Sequence, residues 1–313
     1  MDRFPLPLQL CGTIQTMIQG SLFEPPARQT TVRVGPAGWH YKDWEGTVYP
    51  SGKGRSFDAL AFIADYFDTV EINSSFYRPP RPEDAASWAR RVRKNRRFKF
   101  TAKAWQRLTH EREASTEESL AKDCEAVRRS MAPIAEAGIL AALLLQFPWS
   151  FRCSQENQEY LEKLFRLLRE FPLAVEVRHG GWDREPFYQF LKENRVAFCN
   201  VDQPVIGNSI RPGSQVTSRV GYFRLHGRNY KSWFNEEAGR DARYDYLYPK
   251  PEVQQIVGLL RTIQQNAEET YAITNNHFRG QSLTTALDIL EELDARPPDV
   301  PPLLAATYPH LAH

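Results

Sequence analysis

Two periods alternate along this chain. From Val32 onward, eight short runs rich in β-branched, aliphatic and aromatic residues recur: VRVG (32–35), TVEIN (69–73), FKFTAK (98–103), ILAALLLQF (139–147), AVEVRH (174–179), AFCNVD (197–202), GYFRLHG (221–227) and TYAITNN (270–276). Runs of this length and composition read as strands. Between most of them apolar residues return at helical spacing, as in Phe57, Leu60, Ala61, Ala64 and Phe67, or Leu161, Leu164, Phe165 and Leu168. Ser115 with Glu118 three residues on reads as a capping box opening a long helix to Ala137. Residues 82–92, 184–194, 251–266 and 281–293 supply four more helices.

Eight strands alternating with helices predict a (β/α)8 TIM-type barrel over residues 31–313, one domain preceded by a short extension over residues 1–30. An open doubly wound sheet is the competing arrangement, but the glycine fingerprint G-x-G-x-x-G of dinucleotide folds is absent. Two intervals break the repeat. Segment 203–219 is rich in Pro, Gly and Ser and carries little helical pattern, and 228–250 is a long loop rich in Trp and Tyr.

Alternation along each strand then assigns faces. With Val70 and Ile72 set against helices, Glu71 and Asn73 point inward; the same reading gives Thr101 and Lys103, Gln146, Glu176 and Arg178, Asn200 and Asp202, and Arg224 and His226. Barrel interiors are ordinarily filled by branched apolar side chains, so this many ionisable positions need a reason. One is a salt-bridge network of Glu71, Glu176 and Asp202 with Lys103, Arg178 and Arg224. The other is a site, because Lys103, Arg178, Asp202, His226 and Asn275-Asn276-His277 fall at strand ends, where barrel active sites lie. His179 also sits at a strand end. In the first loops, Trp39 and Tyr41 read as a wall for a ligand, Trp44 and Phe76 as packing.

Composition narrows the class but not the reaction. The 313 residues are 42% hydrophobic and 25% charged, enough for a sizeable core. With 40 basic and 38 acidic residues the net charge is +2, which announces neither nucleic acid nor a membrane. Cys11, Cys124, Cys153 and Cys199 form no Cys-x-x-Cys pair, which fits a reducing cytoplasmic setting better than a disulfide framework. Residues 1–30 lack a continuous apolar signal core, and no window approaches a membrane span.

The blocks GPAGWHYKDWEGTVYP (35–50), YFDTVEINSSFYRPP (66–80), FKFTAKAWQRLTH (98–110), LLLQFPWSF (143–151), LAVEVRHGGW (173–182), YFRLHGRNY (222–230) and TNNHFRGQSLTTAL (274–287) resemble, in order, the YecE-like family, or domain of unknown function 72. The resemblance spans about residues 32–310 and implies a TIM-type barrel without implying a reaction. The family's pattern falls on Gly38-Trp39, Glu71, Asn73-Ser74, Phe76-Tyr77, Lys103, Thr109-His110, Gln146, Glu176, Arg178-His179, Trp182, Asp202, Arg224, His226-Gly227 and Asn275-Asn276-His277. Pro36, Gly181 and Thr274 depart from it, and none of the three removes an ionisable group.

The expected chemistry is acid/base work, by a hydrolase, lyase or isomerase, on a small anionic substrate, phosphorylated or carboxylated. Glu71, Lys103, Glu176, Asp202 and His226 are the catalytic candidates. Trp39, Tyr41, Asn73, Gln146, Arg178, His179, Arg224, Asn275, Asn276 and His277 are the binding candidates. Arg228 and Arg279 add to a cationic mouth, and the turn 277–280 leads into the last helix, where barrels often bind phosphate. A lysine of lowered pKa in this setting is a Schiff-base candidate. Glycoside hydrolysis fits poorly, since the usual positions at strands four and seven hold Gln146 and Arg224/His226. No cofactor is expected; the set Glu176, Asp202, His226 and His277 leaves a divalent metal as a minor option. The alternative class is a non-catalytic binder of an anion or of nucleic acid, with bases stacked on Trp39, Tyr41, Tyr230 and Trp233.

Overall fold

The computed structural model describes residues 31–312 except 53, 55, 113–115, 232–242 and 295–297. The strands are β1 (Thr31–Pro36), β2 (Thr69–Ile72), β3 (Lys99–Lys103), β4 (Leu140–Gln146), β5 (Leu173–Glu176), β6 (Ala197–Asp202), β7 (Val220–Leu225) and β8 (Glu269–Thr274). From β2 to β8 each pairs in parallel with the next, and β8 pairs with β1. The ring closes at β1 and β2, where Ala37 bridges Glu71 and the Gly38 N–H donates to the Glu71 carbonyl at 2.9 Å. A Cβ on Gly35 would lie 2.0 Å from the Thr69 carbonyl oxygen, so the approach of these strands requires glycine there. This is the (β/α)8 barrel that the alternation predicts.

The helices are α1 (Ala59–Tyr66), α2 (Pro82–Arg91), α3 (Glu117–Glu136), α4 (Gln155–Leu167), α5 (Glu185–Glu193), α6 (Lys250–Asn266), α7 (Gln281–Asp294) and α8 (Pro302–Thr307). Helix α3 starts differently from the capping-box reading. Its cap is Thr116, whose side chain accepts from the Ser119 N–H, while Ser115 lies outside the described residues. The outer core forms as expected: Val70 and Ile72 are fully buried, and Leu161, Leu164 and Phe165 are the buried side of α4. No described helix is long and apolar enough to cross a membrane.

Segment 203–219 contains no helix. It runs back over β6 and needs partners for its backbone. Thr217 supplies some, accepting from the Phe198 N–H at 2.7 Å and donating to the Val196 carbonyl at 2.6 Å. The Asn200 side chain supplies more, accepting from the Gln215 N–H at 2.8 Å and donating to its carbonyl at 2.9 Å.

Candidate active site

Two polar layers lie inside the barrel. In the deeper one Arg224, 1% exposed, donates to Glu71 Oε1 at 2.7 Å and to Glu176 Oε2 at 2.6 Å. Tyr222, one inward position lower on β7, donates to Glu71 Oε2 at 3.0 Å, and Arg178 Nε donates to Glu176 Oε1 at 2.8 Å. All four carboxylate oxygens are therefore occupied. Burial opposes the charge on Glu176, but Arg178 and Arg224 outweigh it and hold its carboxyl well below the usual range. Tyr222 was not visible as a member of this layer, because a tyrosine in a strand reads as ordinary packing.

Above this network opens a cavity of about 480 Å³ at the C-terminal ends of the strands. Nine of the predicted site residues line it: Trp39, Tyr41, Asn73, Lys103 and Gln146 from β1 to β4, then Arg178, His226, Asn275 and His277. Its outer wall is stitched together by aromatic contacts. Tyr41 stacks on His277 at 4.3 Å and donates to the Ala37 carbonyl at 2.5 Å, and the Trp44 indole donates to the His277 carbonyl at 2.8 Å. Trp44 thus serves packing, as its composition context suggested. Trp88 and Tyr244 also line the cavity. Sequence reading missed both: Trp88 sits inside α2, where a tryptophan at helical spacing reads as core, and Tyr244 lies in the loop before α6.

Hydrogen-bond valence distinguishes the lining groups. Arg178 donates from Nη1 to Gln203 at 2.7 Å and from Nη2 toward His226 Nε2 at 3.1 Å. Burial, with Arg178 beside it, pushes His226 down to about 3, so its ring is neutral and its Nε2 is an acceptor. The His226 Nδ1 faces the Asn275 amide at 3.0 Å. Two donors remain. The Trp39 indole N–H is buried without a hydrogen-bond partner. Lys103, 9% exposed, rests its Nζ 3.9 Å from the centre of the Phe76 ring, and that amine has no hydrogen bond or ion pair to any described residue. Burial first, and then Arg224, lower its pKa to about 7 against the opposing pull of Glu71 and Glu176. At the rim His110 packs edge-on against the other side of that aromatic cluster, 5.0 Å from Phe76, and burial lowers it to about 4.

Three predicted residues lie elsewhere, for reasons the structure makes plain. On β6 the parity is inverted: Cys199 Sγ comes within 3.9 Å of Glu176 Oε2, so Cys199 faces the interior and Asn200 and Asp202 face outward. Polar residues point out here because a loop, not an apolar helix, covers the strand. Asp202 is held by Arg228 at 2.6 Å and by the Tyr248 hydroxyl at 2.7 Å. Asn276 donates to the Tyr246 carbonyl and to Thr285 on α7, tying the loop to the helix. His179 accepts from the Gly181 N–H at 3.0 Å and caps the short turn 180–182, since β5 ends at Glu176 and the chain has already left the barrel.

The same geometry corrects two broader expectations. Arg228 is bound to Asp202 and Glu252, which removes it from the mouth. At the turn into α7 the Arg279 N–H donates to Asp43 Oδ2 at 2.5 Å, so the protein's own carboxylate sits where a phosphate was expected. Glu176 and His226 meet at 3.4 Å, but Asp202 is held apart by Arg228 and Tyr248, and no cluster of three metal-ligand side chains occurs among the described residues. Trp233 lies outside the described residues.

The chain is 29% identical over 273 residues to the UPF0759 protein YunF of Bacillus subtilis (strain 168), a match covering 84% of this chain and 95% of that protein. A crystal structure of a DUF72 family protein from Thermotoga maritima MSB8 superposes with a TM-score of 0.72 at 34% identity, over 84% of this chain and 99% of that one. A second, from Enterococcus faecalis V583, gives 0.73 at 29% identity over 84% and 96% of the two chains. The family model described as "Protein of unknown function DUF72" matches residues 33–309, and with the barrel and its polar interior in place the chain belongs to that family.

Proposed function

We propose that this protein is an enzyme that performs acid/base chemistry on a small anionic substrate held in the barrel mouth, as a lyase, isomerase or hydrolase. The observation that carries this reading is Lys103. It is a buried amine without a polar partner, in a cavity where the buried Trp39 indole N–H, also a donor, has no hydrogen-bond partner either. Lysine ammonium and indole N–H donate and cannot accept, so the complementary ligand is rich in acceptor oxygens. A volume of about 480 Å³ suits a metabolite.

The roles within the site divide by free valence. Lys103, with a pKa of about 7, exchanges a proton near neutrality, which is the property a general acid/base needs. The carboxylate oxygens of Glu71 and Glu176 are taken up by Arg224, Arg178 and Tyr222, and with His226 these groups act by fixing the field around Lys103 and the position of Arg178. A small ligand is favoured over nucleic acid because the aromatic groups do not form one platform. Trp39 is only 5% exposed among Trp88 and Phe100, whereas Tyr230 is 55% exposed and lies outside the cavity lining.

Thermal shift tests the reading. Millimolar pyruvate, succinate or phosphate should raise the melting temperature by mass action, and Lys103→Met or Arg178→Met should abolish the rise while Arg166→Ala leaves it intact. A rise that survives both mouth substitutions would remove the basis for the reading.

A further inference from the structure

We infer that Lys103 forms a covalent imine with a small aldehyde or ketone that carries a carboxylate. This rests on the mouth being the site of a small anionic substrate, and it narrows the chemistry within it. The amine stands on the face of Phe76, and the two carboxylates that share the interior with it have all four oxygens bound to Arg224, Arg178 and Tyr222. No fixed carboxylate is left to hold Lys103 as an ammonium or to take its proton in a relay. An amine so placed has an available lone pair and a dry aromatic wall, the setting of a lysine nucleophile.

The lining also fits the two ends of such a substrate. A carbonyl oxygen and a carboxylate are both acceptors, and the partnerless donors in the lining include the Lys103 amine and the Trp39 indole, with Arg178 beside them. A carboxylate is preferred over a phosphate because the backbone N–H at the head of α7 already holds Asp43.

In the step, the Nζ lone pair adds to the carbonyl carbon, the π pair moves to oxygen, and a proton passes from nitrogen to that oxygen to give a carbinolamine. The nitrogen lone pair then forms C=N as the hydroxyl, taking one proton from solvent, leaves as water. The product is a protonated imine, with no change of oxidation state and no further reactant. Its positive nitrogen draws electrons from the adjacent carbon, which suits a lyase or an isomerase and does not serve hydrolysis.

The test is reductive trapping on the intact wild-type chain. Pyruvate and, separately, succinic semialdehyde are added with cyanoborohydride at neutral pH, and peptides are mapped by mass. The expected result is one reduced adduct, on Lys103, formed about tenfold or more faster than on an exposed lysine such as Lys94, because only an amine of lowered pKa is substantially neutral there. It should vanish in Lys103→Arg, and the mapping of the wild-type chain stands if that variant does not fold. A parallel pulse of acetic anhydride separates the failures. Rapid acetylation of Lys103 without any trapped adduct overturns the imine and leaves the acid/base reading standing. Lys103 acetylating no faster than Lys94 overturns both.

Discussion

The deep layer and the mouth of this barrel contain similar residue types and differ in what is left over. Below, two carboxylates, two arginines and one tyrosine bind one another until every carboxylate oxygen has a donor. Above, a lysine and an indole have no polar partner, within a cavity open to small molecules. Buried charge alone therefore does not mark a functional site. A saturated network is a structural element, and groups with unused hydrogen-bonding capacity are the ones that meet a ligand.

The largest expected effect falls on the saturated layer. Arg224→Met strands Glu71 and Glu176 without their shared cation, and breaking a buried pair in this way costs about 3–5 kcal/mol. The melting temperature should fall by roughly 10 °C or more, or the chain should become insoluble; a loss of only a degree or two would show that the layer is not the closed network described.

At the mouth the same kind of change should have the opposite sign. The ordinary pKa of 10.5 for Lys103 drops to about 7 in the fold. Below that value the folded chain carries a buried, unpaired ammonium. Between the two values the unfolded chain binds a proton that the folded chain does not, so wild-type stability rises with pH across this window. Lys103→Met should therefore melt higher than wild type below neutrality, with the advantage shrinking as the pH approaches 10.5. Melting curves across pH that run parallel would contradict this.

Most of the barrel was legible in the sequence because strand and helix periods differ and recur eight times. The inward polar layer was legible too, as long as an apolar helix covered the strand and polarity implied an interior position. That inference failed at β6, where the covering element is a hydrogen-bonding loop and Asn200 and Asp202 turn toward it. The partnering of each group was not legible at all. Nothing in the spacing shows that Asp43 occupies the turn at Arg279, or that Trp88 reaches the cavity from within α2.

Two smaller effects sharpen the contrast. Asp202→Asn should lower stability by about 1–3 kcal/mol, since it weakens the contacts of Arg228 and the Tyr248 hydroxyl, yet leave the ligand-induced thermal shift intact. A lost shift would return Asp202 to the mouth. Trp39→Phe keeps the ring against Trp88 and removes only the indole N–H, so stability should change little while ligand affinity falls by about 0.5–1.5 kcal/mol; unchanged affinity in an isothermal titration would show that this donor does not meet the ligand.

The most direct measurement is an NMR titration of the lysine Cε carbons in the wild-type protein. One resonance, identified by its loss in Lys103→Met, should move with a midpoint of about 7, well below the value of about 10.4 of a lysine in a model peptide. If the Lys103 resonance instead moves only near the model-peptide value, the mouth holds an ordinary ammonium and the distinction between the two layers fails.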